Sequence, residues 1–305
     1  MNKKVVITGG AGFIGSHVVK LLCDNGFDVY VVDDLSFGFE KFVDKRAKFF
    51  KGKIQDQKLM DKILPGAFAV IHLAAFSIIK FSYKNPLSYF ENNVTNGIKL
   101  LESMRKNKVK KIIFSSSASI YKESENPVKE DGEKSPKSPY GASKLIFEEV
   151  LKTYYNNFGI ESVSLRYFNA YGPNDEQIPH TRAVSVWIRA LLSGKIVPLY
   201  WMGKQRRDYI YVEDIAMAHL RALDLSGLHF INIGSGNGVL MTDLLKLLEK
   251  LIGREAKIED RGERLGDPQT LVADISAAKK ILNWIPQVSL EKGLKQTIDY
   301  YKNGK

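Results

Sequence analysis

The sequence predicts an α/β fold, a doubly wound parallel sheet with a smaller α/β C-terminal lobe, on three observations. A β-branched run from Lys4 to Thr8 flows into a glycine-rich turn, Gly9-Gly10-Ala11-Gly12-Phe13-Ile14-Gly15. Apolar strand patterns then alternate with amphipathic helical ones, the signature of parallel strands joined by crossover helices. The 305 residues, 44% of them hydrophobic, suffice for one large α/β domain or two intimate ones with a proper core.

The elements follow in order. After the glycine turn a helical pattern (Ile14, Val18, Leu21, Leu22) stops at Asn25-Gly26, a good C-terminal signal. Cys23 falls on its apolar side and reads as a core residue. Asp28 to Asp33 is a second apolar strand ending in a carboxylate. Strand, glycine turn, helix, strand and acid make the βαβ dinucleotide unit of a Rossmann sheet, although the glycine spacing is G-x-x-G-x-x-G. Glycines let the backbone approach a pyrophosphate, which gains further from the helix N-terminus. Asp33, 24 residues after Gly9, suits a ribose diol, and its charge repels a 2′-phosphate, so NAD is favoured over NADP. Further strands are expected at Phe68–Ala75, at Lys111–Phe114 leading into Ser115-Ser116-Ser117, and at Ser162–Phe168, with a helix over Asn93–Met104. Ligands of such sheets lie at the carboxyl ends of the strands. That edge gathers Gly9–Gly15, Ala74-Ala75, Ser115–Ser117 and Asn169.

Tyr140 and Lys144 give the edge its chemistry. Ser138 caps and Pro139 opens a helix continued by Leu145, Val150, Leu151, Tyr154 and Phe158. Residues i and i+4 share a helix face, which puts the Lys144 ammonium near the Tyr140 phenol. A phenol titrates near ~10, so service as a base near neutrality needs a drop of about 3 units, roughly 4 kcal/mol. One lysine does not supply all of that, and a cationic cofactor beside the phenol would supply the rest. A bare Tyr-x-x-x-Lys is commonly an exposed tyrosine and a solvated lysine. The glycine turn, Asp33 and Ser117 at the same edge give it weight.

Composition narrows the class. There are 45 Lys+Arg against 34 Asp+Glu, a net charge of +11, yet the lysines are dispersed without a basic block or aromatic-basic repeat. No nucleic-acid partner is expected; an anionic small substrate or solubility accounts for the charge. No apolar run approaches the ~20 residues of a membrane span, so no membrane is expected either. The opening Met1-Asn2-Lys3-Lys4 enters a strand directly, which predicts no cleaved leader, and a single cysteine forms no intrachain disulfide. A cytoplasmic location is expected.

Taken in order, these motifs resemble the extended short-chain dehydrogenase/reductase family, specifically nucleotide-sugar epimerases of the UDP-glucose 4-epimerase type. The further marks are Asp33-Asp34-Leu35-Ser36, His72-Leu73-Ala74-Ala75, Asn92-Asn93-Val94, Leu165-Arg166-Tyr167-Phe168-Asn169, Arg207 to Asp214, Asn232-Ile233-Gly234 and Arg264-Leu265-Gly266-Asp267-Pro268. The resemblance covers nearly the whole chain. It implies an NAD-binding domain at 1–170 and 208–233, a nucleotide-sugar lobe at 171–207 and 234–305, and a homodimer through the helices at Asn93–Met104 and after Tyr140, with Tyr154 and Tyr155 near the interface. The implied catalytic residues are Tyr140, Lys144 and Ser117. NAD would meet Gly9, Gly12, Phe13, Ile14, Gly15, Asp33, Asp34, Leu35, Ser36, Gly38, Ile54, Leu73, Ala74, Ala75, Asn93, Ser115, Tyr140, Lys144 and Phe168. A UDP-sugar would meet Ser117, Tyr140, Asn169, Ala183, Val184, Leu199, Tyr200, Arg207, Arg264, Asp267 and Leu271. No metal is implied.

Related 4,6-dehydratases carry an Asp-Glu pair just after the catalytic hydroxyl, and decarboxylating relatives a nearby glutamate. Here Ser117 is followed by Ala118, Ser119 and Ile120, with no carboxylate before Glu123, so elimination lacks its acid and base. The resemblance therefore implies inversion at C4 of a UDP-hexose through a 4-keto intermediate. Other nucleotide-sugar epimerases (of UDP-GlcNAc or a UDP-uronate), net oxidoreduction of a nucleotide sugar, and a non-catalytic dinucleotide-binding protein remain as alternatives. Several residues depart from the family pattern. Lys53 replaces an acid near the adenine, Lys122 and Trp201 stand where glycines are common, and Arg182 replaces a small or amide residue. Leu271 aligns with a position that gates a bulky C2 substituent, and leucine leaves room for an N-acetylated sugar. The polar stretch Lys122–Ser138 is expected as a surface loop at the mouth of the site.

Overall fold

The computed structural model describes residues 3–263 and 268–304. Arg264 and Asp267, expected to meet the nucleotide, lie outside the described residues. The first half runs β1 (Lys4–Thr8), α1 (Phe13–Asp24), β2 (Asp28–Asp33), β3 (Lys48–Lys51), α2 (Gln57–Ile63), β4 (Ala69–His72), α3 (Ile79–Lys84), α4 (Pro86–Phe90), α5 (Asn96–Lys106), β5 (Lys111–Ser117) and α6 (Pro139–Phe158). Then come β6 (Glu161–Tyr167), β7 (Asn169–Tyr171), α7 (Ala183–Ser193), β8 (Ile196–Leu199), β9 (Arg206–Tyr211), α8 (Val212–Ala222), β10 (Leu228–Ile233) and β11 (Gly238–Leu240). The last are α9 (Met241–Ile252), β12 (Lys257–Asp260), β13 (Thr270–Leu271), α10 (Ser276–Leu282) and α11 (Leu290–Lys302).

Seven parallel strands form the main sheet in the spatial order β3-β2-β1-β4-β5-β6-β10. The order reverses between β1 and β4, which opens the crevice where such sheets take ligands. Alternate strand residues face opposite helical layers. Val5, Ile7, Val163 and Leu165 pack with α1 and α8, while Val6, Ile112, Phe114, Phe147 and Leu151 fill the other side. This is the doubly wound sheet that the alternating pattern predicts.

The smaller lobe has its own core, built by Trp187 and Ile188 of α7, Leu244 and Leu248 of α9, and Leu294 and Ile298 of α11 around Tyr171, Tyr209 and Tyr211. Its strands pair as β11-β9-β13, with β7 also on β9, and as β12-β8. Near the return expected at Asp208, β9 joins the small sheet while its Ile210 sits in the α1/α8 core, and α8, from Val212, packs on α1. α10 also sits on the large sheet, where Ala278, Leu282 and Trp284 join the α1/α8 core.

Local chemistry sets the helix ends. In α6, Ser138 Oγ accepts from Gly141 N at 3.1 Å, Pro139 takes the first turn, and Gly159 closes the helix with φ 62°. The helix expected at Asn93–Met104 is part of a longer rod, with α4 and α5 joined through a π turn at Glu91–Thr95. Among the described residues, no helix is long and apolar enough to cross a membrane.

Candidate active site

A cavity of about 1370 Å³ runs along the carboxyl edge of the sheet and into the smaller lobe. At its floor lies the glycine turn. Gly9 has φ +74°, and a Cβ there would lie 2.5 Å from Ala74 N; one on Gly15 would lie 2.1 Å from Gly9 O. Neither position admits a side chain, so the first turn of α1 closes down on β1 and β4. Gly12 caps α1 without a side-chain hydrogen bond and lines the cavity, and a Cβ there would meet Gly9 O at 3.3 Å. A bare helix N-terminus flanked by glycines is the backbone cradle a pyrophosphate requires. Asp33 completes this end. Its Oδ2 accepts from Ala11 N at 3.0 Å and its Oδ1 from Leu35 N at 2.9 Å. Burial pushes its carboxyl up while those amides pull it back. These residues fit a dinucleotide.

Tyr140 and Lys144 project from α6 toward the end of β5. Lys144 Nζ donates to the main-chain carbonyl of Ser115 at 2.7 Å and lies 4.7 Å from the Phe114 ring centre and 5.9 Å from that of Tyr140. Burial pushes the Lys144 ammonium down to about 7, and the Glu148 carboxylate pulls it back up. Burial likewise raises the Tyr140 phenol, against the Ser117 hydroxyl and the Arg182 guanidinium, which lower it. The cation opposing that burial is Arg182. Ser117 Oγ accepts from Ser119 N at 3.1 Å, which fixes the hydroxyl at the strand end.

Arg182 stands at the N-cap of α7. It pairs with the buried Asp175 at 2.6 Å, and its guanidinium lies 5.1 Å from the Phe13 ring centre. Further bonds join the two halves at this point, from Asn174 Nδ2 to Ser16 Oγ at 3.0 Å and between His17 Nε2 and Pro173 O at 3.0 Å.

Most of the expected residues reach the cavity. Of the residues expected at the cofactor, Gly9, Gly12, Phe13, Ile14, Gly15, Asp33, Asp34, Ser36, Gly38, Ile54, Leu73, Ala74, Ala75, Ser115, Tyr140, Lys144 and Phe168 line it. Of those expected at the UDP-sugar, Ser117, Asn169, Ala183, Val184, Leu199, Tyr200 and Arg207 line it too. Asn169 Nδ2 donates to Asp208 O at 2.9 Å, and Arg207 donates to the carbonyls of Arg206, Pro268 and Gln269. Lys53 also lines it.

Three expected residues are placed elsewhere. Leu35 adopts φ 61° to let its amide reach Asp33, and its side chain is not in the lining. Asn93 turns inward from the π turn; it holds both polar groups of the Phe76 backbone, at 2.8 and 3.0 Å, and donates to Ser143 Oγ at 3.0 Å. Leu271 is 5% exposed and packs with Phe168, Tyr121 and Ile120 behind the cavity wall rather than in it. Nor does the Lys122–Ser138 loop enter the lining; Val128 tucks it against Ala273 instead. Among the residues not anticipated is an aromatic group, Phe37, Phe76 and Phe81, with ring centres of the first two 5.8 Å apart. Phe76 directly follows Ala74-Ala75, so extending that strand-end motif by one residue points to it.

A sheet with this topology and this edge defines a dinucleotide-binding α/β protein. The NAD dependent epimerase/dehydratase family matches residues 5–234, and the chain belongs to that family. It is 35% identical over 320 residues to a UDP-glucose 4-epimerase of Lacticaseibacillus casei, covering 98% of this chain and 97% of that one. The crystal structure of UDP-glucose 4-epimerase from Thermotoga maritima, with UDP-glucose, superposes with a TM-score of 0.95 at 36% identity over 99% of both chains. A UDP-N-acetylglucosamine 4-epimerase from Methanobrevibacter ruminantium, in complex with UDP-N-acetylmuramic acid, gives 0.93 at 34% identity over 100% of this chain and 99% of that one.

Proposed function

We propose that this chain is an NAD-dependent epimerase that inverts C4 of a UDP-hexose of the UDP-glucose/UDP-galactose type through a 4-keto intermediate. The observation that carries the reading is the grouping of Tyr140, Ser117 and Lys144 at the carboxyl edge of β5, where Ser117 is followed by Ala118, Ser119 and Ile120 rather than by a carboxylate. Tyr140 takes the proton of the sugar 4-hydroxyl and later returns it. Ser117, held by Ser119, hydrogen-bonds between the phenol and the sugar oxygen. Lys144, anchored on Ser115, would hold the ribose of the cofactor. NAD, when bound, supplies the hydride acceptor and donor at C4, so no net oxidation occurs. Without an acid and base for elimination, the 4-keto sugar has one productive exit, reduction on its other face. The homodimer through α5 and α6 belongs to the same proposal; Ile146 and Phe158 are exposed on α6.

The test is incubation with a panel of UDP-hexoses, following C4 configuration by NMR. Inversion without accumulated NADH supports the reading, while steady NADH release makes the protein a net oxidoreductase. Tyr140→Phe is expected to lower turnover by about 10³-fold or more with NAD still bound. Substantial residual activity would take Tyr140 out of its role.

A further inference from the structure

Tyr140, Lys144 and Glu148 stand four residues apart on α6 and form one stripe down its face. Each meets a different residue of the serine run that ends β5. Tyr140 interacts with the Ser117 hydroxyl, Lys144 Nζ binds the Ser115 carbonyl at 2.7 Å, and Glu148 Oε1 accepts from Ser116 Oγ at 2.6 Å. The Ser116 side chain points at α6 from within β5, Ser115 offers its carbonyl, and Ser117 meets Tyr140 from the end of the strand. The helix is thus fastened to the strand at three successive teeth, and the innermost is a buried carboxylate, 1% exposed.

We propose that Glu148 is a positioning residue for the reaction, fixing through Ser116 the Ser115–Ser117 segment against which Lys144 and Tyr140 work, with its carboxylate one helical turn from Lys144. This rests on the role given to Lys144 above. Glu148 does not line the cavity and touches no substrate or cofactor position. It acts through its neighbours. Its carboxylate is oriented from β6 by Arg166, Nε at 2.9 Å and Nη2 at 2.8 Å, and Arg166 in turn donates to the Tyr121 hydroxyl and the Glu130 carbonyl. The other charged and titratable groups around the pair are Lys134 and Glu130 of the 122–138 loop, and His72 of β4, which feels the Lys144 charge. The Glu148 carboxylate favours the Lys144 ammonium against burial. A purely structural ion pair needs no relation to Lys144. This one is placed one turn away, on the same strand segment.

Glu148→Gln keeps the size and one acceptor oxygen for Ser116, gives up the second acceptor that meets Arg166 Nη2, and removes the charge. Lys144 is followed through its ¹³Cε resonance in ε-¹³C-lysine protein, assigned by its loss in Lys144→Arg. The titration midpoint is expected to fall by about one pH unit or more in Glu148→Gln, and to stay near the wild-type value in Glu148→Asp. The alkaline limb of kcat against pH is expected to move the same way. If Glu148→Gln does not fold because Arg166 is left buried without a counter-charge, Glu148→Gln/Arg166→Met removes both charges and permits the same comparison. An unshifted Lys144 midpoint in the folded variant overturns the proposal, even if kcat drops. Since the resonance reads Lys144 whichever sugar is turned over, failure of the C4 reading leaves this result standing on its own.

Discussion

The carboxylate of Asp33 is tied to the amide of Ala11 at 3.0 Å, so the acid at the end of β2 also braces the glycine turn at the end of β1. One side chain thereby does two jobs. It closes the loop that would cradle the pyrophosphate and keeps a negative charge where the adenosine ribose would lie.

Asp33→Asn separates the two. Asparagine has one acceptor oxygen, so either Ala11 N or Leu35 N loses its partner, at a cost of about 1 kcal/mol. Removal of the charge is expected to shift relative affinity toward NADP by about 10-fold or more. Calorimetric titration with both dinucleotides measures it, and an unchanged ratio would clear Asp33 of any part in the choice.

Arg182 opposes the burial that raises the Tyr140 phenol. The base must be the phenolate, so activity rises as pH passes the phenol pKa. Arg182→Ala raises that pKa, and the ascending limb of kcat against pH is expected to move to higher pH; Arg182→Lys is expected to retain part of the effect. A limb that stays in place in Arg182→Ala would show that the cation is too distant to matter.

His72 and His219 are fully buried and pushed down to about 3 from 6.5. The unfolded chain therefore binds protons between those values that the folded one refuses, and stability falls as pH drops through that window. Each histidine contributes up to roughly 4–5 kcal/mol of this loss. Urea melts at pH 7, 5 and 4 measure the slope. His72→Asn, whose amide can still meet the Thr8 hydroxyl now 2.8 Å from His72 Nδ1, is expected to flatten it. Melts that superimpose for the two proteins would contradict the assignment.

Leu271 packs behind the wall, so its truncation is a stability matter. Leu271→Ala is expected to cost about 2–5 kcal/mol, with an unaltered ratio of kcat/KM for N-acetylated and plain UDP-hexoses. A ratio changed more than about 10-fold would return Leu271 to the substrate.

The parts legible in the sequence were those written in short-range chemistry. Ser138 and Pro139 announce α6, glycine spacing and Asp33 announce the first βαβ unit, and i to i+4 geometry puts Tyr140 and Lys144 on one stripe. What the sequence hid depends on partners far along the chain. Asn93 is turned inward by a π turn that no propensity marks, Lys144 spends its hydrogen bond on a carbonyl 29 residues away, and β9 is claimed by strands on both sides of it in sequence. Arg182 was visible as an odd residue, but its charge gains meaning only once α7 brings it to Tyr140.

The π turn at Glu91–Thr95 makes the rod from Pro86 to Lys106 a shaft with a phase slip in it. Upstream of the slip, the Tyr89 hydroxyl latches onto Ile78 O at 2.6 Å; downstream, Leu100, Leu101 and Met104 are buried against the sheet. Removing a single residue from the slip would turn one half against the other by about 100°, since each helical residue advances the screw by that angle. Both seats are then not met together. Residue count, more than residue identity, sets whether this stretch of chain fits the fold.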